Sequence, residues 1–429
     1  AFLDESLYVR SSELFYSPRG RMLKQAAYFA GTDRVLALVT TYDAVRLEDR
    51  AGTLYLVDAQ DASQVFQLKG GKKVLNFLKA PGGDTYYHAL EEVQPIEGEE
   101  AEDEVIMGRE ATRDVEVVLH RLDADGEDTV VPVEGATVER IAKDGKLVLA
   151  HTSGITPFRG YYMRGLTTRW TLCDEAAAKD IYEFDYSPLL SPDLTLALDV
   201  VRNYDASDYE KSYFALYQGT PEQSAAELRL VYSCPYYVTL EEEQWAPVVE
   251  FVDDDKVLLS RFTPSEEGAD EEASVPHTRG KLTLELFNLA NHSLQVVLPD
   301  VSPHLDVICH PGEPVFFYSS YALVGVNRVH SVCAAALDGS KVRVLWQNDI
   351  ARRIRFMDTD TKGGKLLVIE DYETGAGNYS LMRELALDAT SLPEPEKAAE
   401  DTGDEPPVEP LEGSSDAGPP PIMLPGEPT

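Results

Sequence analysis

Residues 52–68, GTLYLVDAQDASQVFQL, decide how the rest of the chain is read. Two runs rich in β-branched, aromatic and other apolar residues, which suit a pleated surface, flank the polar stretch Asp58 to Ser63. That is the pattern of a β-hairpin, and it recurs. Similar units stand at 115–133 (VEVVLHRLDADGEDTVVPV), 168–184, 213–232, 282–298 (LTLELFNLANHSLQVVL), 329–346 (VHSVCAAALDGSKVRVLW) and 379–388. Two more strand-like runs precede each hairpin, as VLNFLKA and TYYHAL do around Pro81-Gly82-Gly83-Asp84. Each unit therefore carries about four strands.

With the hairpin turns placed near Gln60, Ala124, Cys173, Gly219, Ala290, Asp338 and Asp388, the period is about fifty residues. The two longer intervals contain acidic insertions. Four strands at this period are the signature of propeller blades. The expected fold is all-β, a seven-bladed β-propeller of four-stranded antiparallel blades over residues 1–390. An open ring would leave strand edges exposed, and the seventh unit runs out after Leu387. The solitary segment at about 6–15, SLYVRSSELF, is expected to supply its fourth strand and close the last blade. From 391 to 429 the chain turns to Pro, Glu, Gly, Ser and Ala, too little apolar surface to offset the entropy of ordering. This is read as a disordered, acidic, Pro-rich tail. Within it Ile422-Met423-Leu424 reads as linker or as a patch for a partner's groove.

The net charge of −37 over 429 residues repels nucleic acid and anionic membrane surfaces, so no nucleic-acid partner is expected. No apolar run approaches the roughly 20 residues a spanning helix needs, so no transmembrane segment is expected. Cys173, Cys234, Cys309 and Cys333 form no C-x-x-C pair, which excludes a zinc ribbon or a thioredoxin-type motif. Each lies in or beside an apolar strand, where a free cysteine packs as a small hydrophobe; a disulfide stays open if the protein is exported.

Motifs for catalysis are missing: no H-E-x-x-H, G-x-S-x-G, P-loop or dinucleotide fingerprint occurs. The closest potential metal ligands are His304, Cys309 and His310, but alternation sets the last two on opposite faces of a strand. Asp123, Asp125 and Asp128 resemble the start of a calcium loop, yet the distal Glu is missing and a tight hairpin turn accounts for them. Asp253-Asp254-Asp255 reads the same way. No catalytic residue, metal or cofactor is assigned.

The long passages 90–114, 153–167, 202–211 and 263–280 all join the second strand of a unit to the third. In up-and-down blades these connections emerge on one face, and loops on a rigid scaffold are where binding resides. Segments 97–104 and 266–272 are acidic and read as solvated loops. The third unit differs: Phe158, Arg159, Tyr161, Tyr162 and Arg164, followed by Arg169 and Trp170, gather arginines and aromatics, the residue types favoured at binding hot spots. These seven are the candidate binding residues for a protein or peptide partner. The alternative is that the arginines pair with the acidic inserts while the aromatics pack over the blade.

Tyr16-Ser17-Pro18-Arg19-Gly20 and Ser191-Pro192-Asp193 resemble the Ser-Pro-Asp-Gly turn opening a blade in TolB-like and WD-repeat-like propellers, and Leu337-Asp338-Gly339-Ser340 resembles their Asp-Gly turn between outer strands. Two departures stand out: Leu194 follows Asp193 in place of Gly, and no unit has a Trp-Asp pair. The resemblance implies a rigid binding platform without chemistry of its own, and, with Ala1 at the start of the chain, an extracytoplasmic location. The expected function is a non-enzymatic protein- or peptide-binding scaffold. The alternatives are a propeller enzyme acting on a carbohydrate or peptide at the axial channel mouth, with Glu139, Asp185, Glu250 and Asp306 as carboxylate candidates, and a ligand-sensing domain of a larger chain.

Overall fold

The structure, a computed structural model, describes residues 3, 8–29, 32–41, 51–68, 71–92, 115–133, 137–142, 144–152, 168–173, 178–184, 189–201, 213–218, 229–235, 249–264, 280–302, 305–324, 327–360 and 364–389. Among them are 28 strands, and no α-helix. After β1 (Tyr8–Tyr16), blade 1 comprises β2 (Arg21–Phe29), β3 (Arg34–Thr41), β4 (Thr53–Asp58) and β5 (Val65–Gln67). Blade 2 comprises β6 (Lys73–Lys79), β7 (Thr85–Glu92), β8 (Val115–Leu122) and β9 (Asp128–Val131). Blade 3 holds β10 (Thr137–Ile141), β11 (Leu147–Thr152), β12 (Thr168–Cys173) and β13 (Ala178–Phe184); blade 4 holds β14 (Leu189–Leu190), β15 (Leu196–Val201), β16 (Tyr213–Gln218) and β17 (Arg229–Pro235). Blade 5 holds β18 (Val249–Phe251), β19 (Lys256–Pro264), β20 (Gly280–Asn288) and β21 (Ser293–Leu298). Blade 6 holds β22 (Val307–Cys309), β23 (Val315–Val324), β24 (Asn327–Ala336) and β25 (Val342–Asn348). Blade 7 is β26 (Arg353–Thr359), β27 (Lys365–Tyr372), β28 (Tyr379–Ala389) and, outermost, β1.

Within every blade the strands run antiparallel in chain order, except that β1 pairs with β28, Ser11 opposite Leu385 and Phe15 opposite Met382. The seventh unit therefore has no third-to-fourth-strand hairpin of its own; 379–388 is part of one continuous strand. First strands meet first strands: β2 lies against β6 and β26, β6 against β10, and β22 against β18 and β26. The first strands of blades 1, 2, 3, 5, 6 and 7 are thus the innermost, and contact between β26 and β2 joins the last blade to the first in a seven-bladed propeller.

Burial follows this geometry. A second strand is covered on both faces by neighbouring blades, so it reads as a near-continuous apolar run: RVLALVTT in β3 is buried at six successive positions. The fourth strand of blade 1, VFQ, is exposed throughout. The core lies between blades. Leu36, Leu38, Leu54, Val74, Phe77 and Tyr87 fill the joint of blades 1 and 2, and Leu14, Leu23, Val35, Val57, Ile369 and Met382 fill that of blades 7 and 1.

The two Ser-Pro stretches occupy different places. Ser17-Pro18-Arg19-Gly20 joins β1 to β2: Arg21 N–H donates to Pro18 O, and Gly20 takes φ 74°. Ser191-Pro192-Asp193 lies inside blade 4, between its first and second strands, and does not open the blade. Ser191 Oγ and Thr195 N–H both donate to Asp193, and Leu194 stands at φ 63° where the motif carries glycine, a conformation that crowds a side chain.

Candidate functional site

Whether this propeller works at its axis or on a face depends on what its inner strands do with their free edges. An innermost strand pairs on one side only, so the N–H and C=O groups of its other edge need partners. Side chains of neighbouring inner strands supply them. Gln25 on β2 accepts from Phe77 N–H at 3.1 Å and donates to Phe77 O at 3.4 Å, while Lys24 Nζ donates to Leu75 O at 2.7 Å. On the other flank, Arg355 of β26 donates to Leu23 O at 2.7 Å and Asp358 accepts from Tyr28 N–H at 3.0 Å. Lys79 of blade 2 also pairs with Asp358, reaching past blade 1 to blade 7. Burial pushes the Asp358 carboxyl up, against the pull of Lys79.

These capping residues share a local cause. Pairing of the first and second strands slips by one residue between Leu23 and Gln25, Val74 and Asn76, Val138 and Arg140, and Phe356 and Asp358. A β-bulge at the same place in four blades turns the side chains after it and breaks the two-residue alternation.

Blades 3 and 5 hold a second charged set near the axis. Burial raises Glu250 on β18 to about 7, opposed by Arg140 on β10. Arg140 is itself lowered by burial and favoured by Glu250 and Asp193. Asp306, raised by burial, faces Arg353 at 3.8 Å and Arg355. Of the four carboxylates considered for axial chemistry, Glu250 and Asp306 are thus placed; Asp185 and the side chain of Glu139 lie outside the described residues. Cys309 is half-buried with its thiol raised by burial, and His310 Nδ1 accepts from Gly312 N–H at 3.0 Å and Glu313 N–H at 2.9 Å, capping a turn; His304 lies outside the described residues. Asp123 Oδ1 accepts from Asp125 and Glu127 N–H, and Asp253 Oδ1 from Asp255 N–H, so both aspartate clusters organise their own hairpin turns. Asp128 instead pairs with Lys72 and His120. Among the described residues no group of three or more His, Cys, Asp and Glu is placed to hold a metal ion.

The two faces of the ring are unequal. Turns between first and second strands are short, 80–84 in blade 2 and 252–255 in blade 5, whereas β7 and β8 are separated by 93–114, β11 and β12 by 153–167, β15 and β16 by 202–212, and β19 and β20 by 265–279. Phe158, Arg159, Tyr161, Tyr162 and Arg164 lie in the second of these connections, outside the described residues. Arg169 and Trp170 stand near the start of β12, opposite His151 and Ala150 on one side and Glu183 and Tyr182 on the other. The register slips after Trp170, and it slips again after Leu216, Leu284 and Val332 in the next three blades. The irregularity at Trp170 is therefore a feature of blades 3 to 6 and not of one site.

On the same face, blade 7 has only the short connection 373–378 between β27 and β28. Here Tyr372 of β27 stacks on Tyr379 of β28 at 4.9 Å between ring centroids, and Tyr16 of β1 stands 6.3 Å from Tyr379. A small cleft beside them is lined by Arg21, Met22, Arg352 and Asn378, with room for little more than a water molecule. Beneath it the fully buried Glu370 accepts from Trp346 Nε1 (2.8 Å), Asn348 Nδ2 (3.0 Å), Tyr372 Oη (2.9 Å) and Arg383 Nε and Nη2 (3.1 Å each). Arg383 continues to Glu13 of β1 at 3.1 Å. Sequence reading missed this group, although an acid at the end of an apolar run, KLLVIE, is a signal of a buried, paired carboxylate.

No family model matches the chain, and no curated protein matches it in sequence. Its fold has solved counterparts. An oligogalacturonate lyase in complex with manganese superposes with a TM-score of 0.53 at 11% identity, covering 90% of this chain and 98% of that one. The β-propeller domain of the trilobed protease from Pyrococcus furiosus gives 0.40 at 12% identity, with 74% and 96% covered. TolB from Acinetobacter baumannii gives 0.35 at 12% identity, with 73% and 63% covered. At such identities the likeness is one of fold, a β-propeller, and fold alone fixes no function. Among the described residues no helix is long and apolar enough to cross a membrane.

Proposed function

We propose that the protein is a non-enzymatic scaffold that binds a protein or peptide on the face carrying the long second-to-third-strand connections. The observation that carries this reading is the asymmetry of the ring: four blades extend their second-to-third-strand connections on one face, while the turns on the other stay short, with 219–228 in blade 4 as the exception. The inner-strand side chains Lys24, Gln25, Arg355 and Asp358 are engaged in capping neighbouring backbone, which supports a structural role for the axis. In this reading Phe158, Arg159, Tyr161, Tyr162, Arg164, Arg169 and Trp170 supply the contacts of blade 3, residues 391–429 are a disordered acidic tail, and the protein works outside the cytoplasm. The test is affinity capture with the intact chain and with an Arg159→Ala, Tyr161→Ala, Arg164→Ala variant of matched melting temperature. A partner held by the first and lost by the second is the expected result; equal capture by both, or by neither, defeats the reading.

Glu250 favours a second reading. Burial raises its carboxyl to about 7 against the pull of Arg140, so it can hold the proton that a general acid donates. An enzyme acting at the channel mouth on a carbohydrate or peptide would lose turnover on Glu250→Gln with its fold unchanged, in a screen of oligosaccharides and peptides.

A further inference from the structure

Blade 6 departs from its neighbours on the face that carries the long connections. Blades 2 to 5 lengthen the connection between second and third strands there, whereas blade 6 keeps only residues 325–326 and lengthens the strands, to 10 residues each. β23 and β24 pair from Val315 opposite Ala336 to Val324 opposite Asn327. β22 reaches only Phe316 to Tyr318, and β25 only His330 to Ala335. Among the described strands, 320–324 and 327–329 therefore pair only with each other, so a two-stranded ribbon extends past the edges of the blade.

The end of this ribbon is apolar and uncharged. No charged residue occurs from Val315 to Asn327, in a chain of which 26% is charged. Leu323 is 70% exposed and Val324 63%, with Ala322 exposed beside them. Consecutive residues of a strand point to opposite faces, so the apolar surface wraps both sides of the ribbon. Arg328 lies opposite Leu323, but its guanidinium turns back to 5.1 Å from the centroid of the Tyr321 ring. Its charge is thus drawn towards the base, where Tyr321 also lies against His330, 5.7 Å between ring centroids.

We infer that the end of this ribbon is a wedge that enters the outer part of an electrically neutral lipid surface, zwitterionic phosphatidylcholine being the simplest. A docked protein surface covers one side of a ribbon and leaves the other in water, whereas lipid closes round both. Tyr321 and Arg328 at the base are residue types that settle at the boundary: an amphipathic ring, and a long side chain whose charge stays in water. Three residues beyond Tyr321, at roughly 3.3 Å each, span about 10 Å, the depth that interfacial segments reach. Deeper entry would strip water from the outward N–H and C=O groups of the ribbon, which limits the wedge to the boundary. The net charge of −37 opposes approach to an anionic surface, so the lipid is a neutral one.

The test is flotation of the full chain with phosphatidylcholine vesicles, alongside vesicles carrying added phosphatidylserine. Expected is reversible binding to phosphatidylcholine, on the order of the 10⁴ M⁻¹ that a single acyl chain gives. Salt leaves it unchanged, while added phosphatidylserine weakens it at low salt. A Leu323→Asp, Val324→Asp variant of unchanged melting temperature binds about tenfold more weakly or not at all, because lipid must then close round a charge. Val296→Asp, at a half-exposed valine on the outer strand of blade 5, binds like the parent. A Leu323→Trp variant reports the wedge directly, its emission shifting to the blue on vesicles. No binding to phosphatidylcholine, undiminished binding by the Leu323, Val324 variant, an unshifted tryptophan emission, or tighter binding to phosphatidylserine overturns the inference. So does a soluble protein held by the parent and lost by the Leu323, Val324 variant without vesicle binding, which assigns the tip to a protein partner. The Arg159→Ala, Tyr161→Ala, Arg164→Ala variant binds vesicles as the parent does, so the wedge and the blade 3 site fail separately.

Discussion

The joint between blades 1 and 2 and the joint between blades 7 and 1 do the same work with different means. The first is an apolar seam crossed by a few ties to backbone: Gln25 at Phe77, Lys24 at Leu75 O, and the paired hydrogen bonds of Gly52 with Val74. The second also has an apolar seam but adds a dense set of polar ties. Ser17 and Ser380 exchange backbone and side-chain hydrogen bonds, Ser380 Oγ also accepts from Leu23 N–H, Tyr28 Oη donates to Glu384 at 3.0 Å, and Arg355 holds both Asp371 and Leu23 O. Connectivity explains the difference. Blades 1 and 2 are joined by a short connection, whereas Leu23 and Ser380 are 357 positions apart. Closing a loop of that length in place of one of fifty residues costs about 2 kcal/mol more in chain entropy. Each net hydrogen bond contributes about 1 kcal/mol, so a few such ties offset it. Polar ties also fix register, which an apolar seam alone leaves loose.

The severest way to break this contrast is to remove residues 1–16 and with them β1. The β28 edge is then open, and Arg383, only 7% exposed, loses Glu13. Expected are the largest loss of stability of any change considered, measured by urea unfolding, and self-association seen by sedimentation. Next is Glu370→Leu, which leaves the buried Arg383 without its main counter-charge and the Trp346, Asn348 and Tyr372 donors without an acceptor; a loss of about 3–5 kcal/mol is expected. Gln25→Leu, at the simpler joint, leaves only the Phe77 backbone unpaired, and denaturant midpoints should report about 1–3 kcal/mol. If Gln25→Leu proves as damaging as Glu370→Leu, the contrast between the joints is mistaken.

A pH experiment sharpens the comparison on the far side of the ring. Native Glu250 keeps its proton up to about 7, while the unfolded chain releases it near 4.5. Between these values the unfolded state binds fewer protons, so this group's contribution to stability falls as pH rises. His88 acts in the opposite sense. Burial holds it to about 4, with Nδ1 2.6 Å from Asn76 and Nε2 accepting from Val138 N–H, so acidification from 6.5 towards 4 destabilises the fold by protonating the unfolded chain first. Glu250→Gln should therefore make the melting temperature at pH 8 gain on that at pH 5, relative to the parent chain. The smallest effect belongs to Arg352→Ala: its pair with Glu373 is more than half exposed on both sides, and a change beyond about 0.5 kcal/mol would contradict the reading of that pair as marginal.

Much of this architecture was legible in the chain. The hairpin at 52–68 and its recurrences mark third and fourth strands in six blades, with the seventh running out where β28 ends and β1 takes over. Unbroken apolar runs such as RVLALVTT marked second strands because two blades cover them. The long connections were placed correctly between second and third strands, which is why one face could be singled out. The Ser191 turn was misassigned, since a Ser-Pro-Asp stretch serves equally between blades and within one, and local chemistry cannot tell those uses apart.

The polar residues of the inner strands could not be read in this way. Gln25, Arg355 and Asp358 look like surface residues of short strands, and Glu250, read as an axial carboxylate, gave no sign of its partner Arg140. Strand count, blade boundaries and the buried second strands follow from periodicity, a property of neighbours in sequence, and these the chain states by itself. Which polar side chain reaches the next blade is decided by the bulges in β2, β6, β10 and β26, and by the closing of the ring. A one-residue slip reverses the face a side chain takes, and only the assembled ring supplies the edge it must cap.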